Sequence, residues 1–170
     1  VENPLAKVLT AMEYEGVKVD MKFLEEYSKE LDREAKVAEE NVYKEAGVRF
    51  NLPSPRQLGE VLFEKLKLDP KAKKTKRGQY ATGEDVLMKL SHQNKIVEDI
   101  LAFRELTKLK STYVDALPLM VNRKTGRVHT SYAQAVAVTG RLASNNPNLQ
   151  NIPVRTERGR EIRKAFIPGD

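Results

Sequence analysis

A dense group of side-chain amides lies near the end of the sequence, in the segment TGRLASNNPNLQNIPVR at residues 139–155. Five carboxamides fall within seven positions shortly after Arg141: Asn145, Asn146, Asn148, Gln150 and Asn151. One or two amides in irregular backbone usually cap turns. A guanidinium together with five carboxamides also supplies donors for the purine N3 and pyrimidine O2 acceptors of a minor groove, which every base pair presents. The cluster therefore predicts contact with paired bases that does not depend on their sequence.

A second group of side chains carries positive charge. Lys71, Lys73, Lys74, Lys76 and Arg77 fall within seven residues. Hydroxyls accompany them at Thr75, Tyr80 and Thr82. A loop of this composition can follow a phosphate backbone, with lysines supplying charge and hydroxyls supplying hydrogen bonds. A solvated, flexible charged loop fits the composition equally well, and so the charge run alone leaves both readings open.

Two further cations, Arg104 and Lys108, are four residues apart and share one face of a predicted helix. A solvent-facing helix surface explains them as well as a DNA-facing one. No catalytic pattern accompanies them. The sequence has no Cys, His92 and His129 are far apart, and there is no Ser-His-Asp pattern, Walker loop or GxGxxG. From its residues we therefore assign no catalytic group, no metal site and no cofactor.

The composition narrows the class of protein. The chain has 170 residues, of which 32% are charged, and a net charge of +6 that mildly favours a polyanionic partner. No apolar run approaches the roughly 20 residues that span a bilayer, and no secretion signal is visible. The lack of Cys suits a reducing cytoplasm, and we expect a cytoplasmic protein without a membrane partner.

Helical periodicity dominates the first two-thirds of the chain. Asp20 is a suitable N-cap for a long helix that ends at Gly47. Ser54 and Pro55 start another helix. A third long helix is predicted from about 95 to 116, with Pro118 ending it. The inward face of the helix after Asp20 is predicted to consist of Leu24, Tyr27, Leu31, Ala35, Ala38 and Val42.

The residue pattern of the sequence changes after Pro118. Residues 122–126 predict the turn of a β-hairpin, and TERGREIRKAF predicts one short helix with Ile162 and Phe166 inward. The fold class is therefore mainly α, with long antiparallel helices followed by a small, incomplete α+β piece. Because one hairpin and one helix cannot close a core, we expect exposed strands that allow self-association.

These residues also resemble a known family. The segment KLKSTYVDALPLMVNRKTGRVHTSYAQAVAVTGRLASNNPNLQNIPVRTERGREIRKAF closely resembles the family A DNA polymerases, the bacterial polymerase I group in particular. The match continues upstream through LAKVLTAMEYEGVKVD, FNLPSPRQLGEVLFEKLKL and KKTKRGQYATGEDVL, and so it spans essentially the whole chain. One departure is Ala143, where relatives usually carry Ser.

The resemblance implies a domain organisation and a set of contacts. Residues 1–117 would form the helical thumb region, and residues 118–170 the N-terminal part of the palm. The thumb would grip the primer–template duplex, and Arg141 would reach the minor groove at the primer terminus. The residues expected to contact DNA are Lys73, Lys74, Thr75, Lys76, Tyr80, Thr82, Arg104, Lys108, Arg141, Asn148, Gln150, Asn151 and Arg155.

The resemblance also implies an activity for the parent protein. It would be a DNA-directed DNA polymerase, a nucleotidyltransferase of DNA replication and repair, which uses dNTPs and Mg²⁺ held by palm aspartates. The chain does not reach the strand motif resembling D-Y-S-Q-I-E-L that carries the first of these aspartates. We therefore expect the isolated chain to be inactive. Two alternatives remain: a non-enzymatic basic helical module that binds DNA or another protein, and a degenerate polymerase remnant.

Overall fold

Helices form more than half of the protein in this computed structural model, which describes residues 2–169. The predicted mainly α fold class is therefore confirmed. The α-helices are α1 (Glu2–Glu15), α2 (Met21–Ala46), α3 (Pro55–Gly59), α4 (Glu84–Ser91), α5 (Lys95–Leu109), α6 (Ala116–Leu119) and α7 (Glu157–Glu161). The strands are β1 (Val17–Val19), β2 (Arg127–Val128), β3 (Ser131–Ala133), β4 (Ala143–Asn145) and β5 (Phe166–Ile167). No helix among the described residues is long and apolar enough to cross a bilayer.

Helix α2 follows its sequence pattern closely. The Asp20 carboxylate accepts the Phe23 amide at 2.9 Å, as an N-cap does, and the helix stops before Gly47, whose φ is +65°. All six side chains of the predicted inward face are at most 6% exposed. Helical spacing and the two end signals were sufficient to place this element.

Two of the α-helices are each followed by a π-helix, in which the backbone winds more widely. Helix α3 passes into a π-helix at Glu60–Lys65, and α5 passes into a π-helix at Lys110–Val114. The second π-helix ends at Val114, a turn at Asp115 follows, and α6 begins at Ala116. Pro118 therefore lies within a further helix, and the prediction that it ends the helix is wrong. Pro118 lies in the first turn of α6, where a backbone N–H has no acceptor within the helix and its absence costs nothing.

The strands form two small antiparallel sheets. One has the order β2-β1-β5, with Val17 opposite Val128 and Lys18 opposite Ile167. The other pairs β3 with β4. The predicted hairpin turn at residues 122–126 is present, since the Gly126 amide donates to the Asn122 carbonyl at 2.8 Å. However, β2 forms its ladder with β1, which the sequence did not predict.

The last helix is shorter than predicted. Helix α7 passes into a 3₁₀ turn at Ile162–Ala165, and the chain then extends as β5. Ile162 is fully buried as expected. Phe166 was predicted to share its helix face, but it leaves the helix and pairs with Val19 in the sheet, while Ala165 is buried in its place.

The residues group into two compact units. One contains the chain up to Glu30 together with the chain from Leu109 onward, and it holds both sheets. The other is Leu31–Lys108 and is helical, with Leu58, Leu62 and Ile100 fully buried. The predicted division at residues 117 and 118 into two domains stays a prediction.

Candidate nucleic-acid interface

The backbone of the lysine-rich segment is hydrogen-bonded to itself and does not form an open loop. We call residues 73–81 the lysine hairpin. The Ala81 amide donates to the Lys73 carbonyl at 2.9 Å, and the Thr75 amide donates to the Gln79 carbonyl at 2.7 Å. Gly78, with φ +76°, closes the turn through a 2.9 Å bond to the Thr75 carbonyl. The segment that sequence reasoning described as a flexible loop is therefore a short antiparallel hairpin.

Tyr80 anchors this hairpin to the helical unit. Its ring centroid lies 5.2 Å from that of Phe63, and the Lys74 ammonium lies 4.5 Å from the Tyr80 centroid on its own hairpin. Gly59 permits the approach, because a Cβ at this position would lie 2.8 Å from the Tyr80 Cβ. The aromatic ring thus has a packing role, and its contact with DNA stays a prediction.

Arg104 contacts the residue that follows the hairpin. Its Nη1 donates to the Thr82 carbonyl oxygen at 2.6 Å, and its Nη2 lies 3.5 Å from the Thr82 hydroxyl. Burial lowers the pKa of Arg104, and the Glu84 carboxylate partly opposes this shift. Thr82 is only 7% exposed. Both residues were expected to touch DNA, and both are engaged with each other.

The other predicted phosphate contacts present open side chains. The exposed members are Lys73, Lys74, Thr75, Lys76 and Lys108. Lys108 lies one turn beyond Arg104 on α5. The exposed cations on the hairpin and on α5 can approach phosphates, although Lys74 would leave the Tyr80 ring to do so, and such contacts carry the salt-sensitive part of DNA binding.

Two buried hydroxyls hold the amide loop, which we define as residues 145–151. The Thr130 and Ser144 hydroxyl oxygens are 2.6 Å apart, and the Thr130 hydroxyl lies 2.7 Å from the Pro147 carbonyl. The Leu149 amide donates to the Ser144 hydroxyl at 3.1 Å. If the Ser144 hydroxyl donates to Thr130 and the Thr130 hydroxyl donates to the Pro147 carbonyl, each hydroxyl proton in this series of hydrogen bonds has an acceptor. The loop backbone is therefore tied to the interior.

The amide side chains on this loop point to the surface. Asn145, Asn146, Asn148, Gln150 and Asn151 are all exposed. The Asn148 carboxamide oxygen accepts the Gln150 amide at 2.9 Å, which shapes the turn and leaves its amide nitrogen available to donate. The backbone of the loop is fixed by Thr130 and Ser144, and its carboxamides form a polar outer surface.

The cations near this loop are exposed as well. Arg141 lies just before β4, and Arg155 lies just before the N-cap of α7. Tyr113 adds a contact from the π-helix after α5, since its hydroxyl donates to the Asn151 carbonyl at 2.9 Å. Part of the amide-rich segment is regular, because residues 143–145 form β4 and pair with β3.

Within residues 2–169 there is no group of three or more His, Asp or Glu placed to hold a metal ion. What the amide loop and the lysine hairpin offer chemically is hydrogen bonding and positive charge.

Three residues that hold the lysine hairpin or the amide loop in place were missed by sequence reasoning. A single sequence gives no sign that position 59 must be Gly, because the requirement comes from Tyr80, which is distant along the chain. Thr130 and Ser144 are ordinary polar residues with no periodic pattern. Only their burial, at 5% and 1% exposure, marks them as holding the amide loop.

Comparisons with known proteins agree on one family. The model of "DNA polymerase family A" matches residues 21–170. DNA polymerase I of Chloroflexus aurantiacus is 53% identical over 98% of this chain and 18% of its own length. DNA polymerase I of Geobacillus stearothermophilus is 52% identical over 100% of this chain and 19% of its own length.

A solved structure gives the same relationship. The POL domain of Pol1 from M. smegmatis, in complex with DNA primer-template and dNTP, has a TM-score of 0.86 and 44% sequence identity. The match covers 98% of this chain and 29% of that chain. The chain thus spans about a fifth of the length of the relatives it matches.

Proposed function

The chain belongs to DNA polymerase family A, and from that premise we propose that it is the duplex-gripping part of a longer DNA-directed DNA polymerase. The family membership inferred from the sequence is confirmed. The activity belongs to the longer protein: template-directed nucleotidyl transfer in bacterial DNA replication and repair, carried out in the cytoplasm. We propose that residues 1–117 serve as its thumb region and residues 118–170 as the start of its palm.

The observation that carries this proposal is the construction of the amide loop. Carboxamides that face solvent, on a backbone tied inward by Thr130 and Ser144, form a preorganised set of hydrogen-bond donors. Together with Arg141, they suit the acceptors of a minor groove. Because those acceptors exist at all four base pairs, such a surface senses correct pairing geometry and ignores sequence.

The cations supply the second part of the grip. Lys73, Lys74, Lys76 and Lys108 would follow the phosphates and supply affinity, and the amide loop would supply discrimination. This support comes from their exposure and from the relative solved with primer-template DNA. Thr75 and Tyr80 belong to the proposed phosphate-contacting part of the lysine hairpin, and Arg155 is proposed to contact DNA near the amide loop.

The chemistry itself requires more than these residues. When bound to the longer protein, Mg²⁺ would activate the primer 3′-hydroxyl and neutralise charge on the reacting phosphate of the dNTP. As the resemblance gives it, the first metal-binding aspartate belongs to a strand motif that these 170 residues do not contain. This chain's own contribution is to hold the primer terminus and to test its geometry. We therefore expect no primer extension by the 170-residue chain alone.

A pair of modified duplexes tests the minor-groove contact directly. Replacing adenines near a primer terminus by 3-deazaadenine removes a minor-groove acceptor, whereas 7-deazaadenine removes a major-groove acceptor and serves as the matched control. We expect the chain to bind the 3-deaza duplex more weakly than the unmodified one, and the 7-deaza duplex equally well. Equal binding to all three duplexes would contradict the proposed surface.

A salt titration separates this function from the alternative of a module that docks on another protein. Phosphate contacts make log K fall linearly with log salt concentration, with a slope of about −0.9 for each phosphate neutralised. Lys73→Ala should reduce this slope by about one unit. A chain that binds no duplex even at low salt would favour the protein-docking alternative.

A further inference from the structure

We infer that Arg104 is a positioning residue: it fixes the lysine hairpin through Thr82, so that the hairpin cations follow the phosphates. This inference rests on the proposed function. It adds a role to the DNA contact that the family resemblance assigns to Arg104. The exposed cation Lys108, on the same face of α5, provides the comparison.

The contacts of Arg104 point inward. Its Nη1 bond to the Thr82 carbonyl, at 2.6 Å, is short for an N–H···O bond, and charged donors typically form such bonds. Burial lowers the pKa of Arg104, which shows that the guanidinium is partly withdrawn from water. Two of the guanidinium nitrogens therefore face Thr82.

The Thr82 carbonyl connects Arg104 to the lysine hairpin. The Ala81 amide donates to the Lys73 carbonyl at 2.9 Å, and so the residue before Thr82 belongs to the paired strands. On the same strand, Tyr80 packs on Phe63 over Gly59. The second strand of the hairpin is thus held twice, by a ring at Tyr80 and by a charged hydrogen bond at Thr82.

The consequence is a division of roles between two cations of equal charge. Loss of Lys108 removes one phosphate contact. Loss of Arg104 frees the carbonyl that holds the hairpin and so affects several lysines together. The salt dependence of DNA binding counts phosphate contacts, and it therefore distinguishes the two roles where affinity alone would not.

Salt slopes of the unaltered chain and its variants provide the test, with a fluorescent duplex oligonucleotide titrated at about 50 to 200 mM salt. Lys108→Gln is expected to reduce the slope by about 0.9. Arg104→Gln, the same loss of charge, is expected to reduce it by roughly twice that value or more. Equal reductions for the two variants would overturn the inference.

Gly59→Ala adds a variant without any change in charge. Its Cβ would displace Tyr80, and yet alanine is the better helix former, so α3 is not weakened by propensity. We expect a reduced salt slope here too, because the hairpin is moved. An unchanged slope in Gly59→Ala would show that the position of the hairpin does not matter for binding and would overturn the inference.

Hydrogen exchange tests the contact between Arg104 and Thr82 in the absence of DNA. The Thr75 and Ala81 amides should lose protection in Arg104→Gln and retain it in Lys108→Gln. Unchanged protection in Arg104→Gln overturns the inference whatever the binding data show. Protection could be lost in Arg104→Gln while the unaltered chain binds no duplex. In that case the proposed DNA-binding function is wrong, and so is the proposed effect of Arg104 on phosphate contacts.

Discussion

The hydroxyl oxygens of Thr130 and Ser144 lie 2.6 Å apart beneath the amide loop, and both residues are buried. One stands just before β3 and the other within β4, so that their contact joins the two strands that flank residues 134–142. A polar pair in this place is useful only if all its hydrogen bonds are made, because an unpaired buried hydroxyl is costly.

Thr130→Val should destabilise the fold. Valine has the shape of threonine but cannot donate to the Pro147 carbonyl or accept from Ser144, and we expect a loss of about 1–3 kcal/mol. Urea unfolding monitored by circular dichroism measures it. Thr10→Val is the matched control, since Thr10 is exposed on α1, and it should change stability by about 0.5 kcal/mol or less. Equal effects at the two positions would show that burial of the hydroxyl is unimportant.

Arg141→Ala should weaken duplex binding by roughly tenfold, which corresponds to about 1.4 kcal/mol. The physical reason is the loss of a charged donor to minor-groove acceptors. The same variant should lose most of its discrimination between unmodified and 3-deazaadenine duplexes. Arg123→Ala removes the same charge from the exposed turn after α6 and should retain that discrimination. Fluorescence anisotropy measures both, and a discriminating Arg141→Ala would count against the assignment.

Asp115 should make stability sensitive to acid. Burial raises the pKa of this carboxyl, but hydrogen bonds from Lys110 and Ser28, with the charge of Lys110, outweigh burial and lower it below its ordinary 3.8. A carboxyl whose pKa is lowered by folding stabilises the native state above its unfolded value. This contribution is lost as the pH falls through the folded value.

The corresponding measurement compares urea unfolding at neutral pH and below pH 3.8. Asp115→Asn should show a smaller loss of stability on acidification than the unaltered chain. Glu64→Gln, which removes an exposed carboxylate, should behave like the unaltered chain. An Asp115→Asn variant with an unchanged acid dependence would refute the coupling to Lys110 and Ser28.

Tyr27 links α2 to the chain near α7. Its hydroxyl donates to the Arg158 carbonyl at 2.7 Å, and burial raises its pKa to about 12. Tyr27→Phe should cost about 1 kcal/mol in unfolding free energy, whereas Tyr14→Phe, with a side chain that is largely exposed, should cost little.

The raised pKa of Tyr27 also predicts behaviour in base. A phenol that is neutral in the folded state contributes its full stability below the ordinary value of 10, and it loses this contribution as the pH rises toward 12. An absorbance titration of the native chain should therefore show two late tyrosines, because burial also raises the pKa of Tyr43 to about 12, and one of the two should be absent in Tyr27→Phe. A titration in which every tyrosine ionises near pH 10 would contradict this prediction.

The sequence was most informative where signals were local. Asp20, Gly47 and the apolar spacing of α2 lie within one helix, and they predicted its ends and its buried face. The amide cluster was likewise visible as a short segment. Its outward side chains could be anticipated from polarity, but the hydroxyls that fix its backbone could not.

The failures of prediction come from contacts between distant positions. Strand β1 has only three residues, and its partners are Val128 and Ile167, so no local pattern distinguishes it from a loop. Phe166 was assigned to a helix by its spacing from Ile162, and pairing with Val19 drew it into a strand instead. Pro118 was taken as a terminator, although the first turn of a new helix tolerates it.

The central position of β1 has a consequence for synthesis on the ribosome. Val17–Val19 leaves the exit tunnel long before β2 and β5, the two strands that flank it. Until Ile167 has been translated, one side of this strand has no partner, and its backbone groups are open to other nascent chains. The sheet is therefore completed only after Ile167 has emerged, while the helices of the Leu31–Lys108 unit can form earlier.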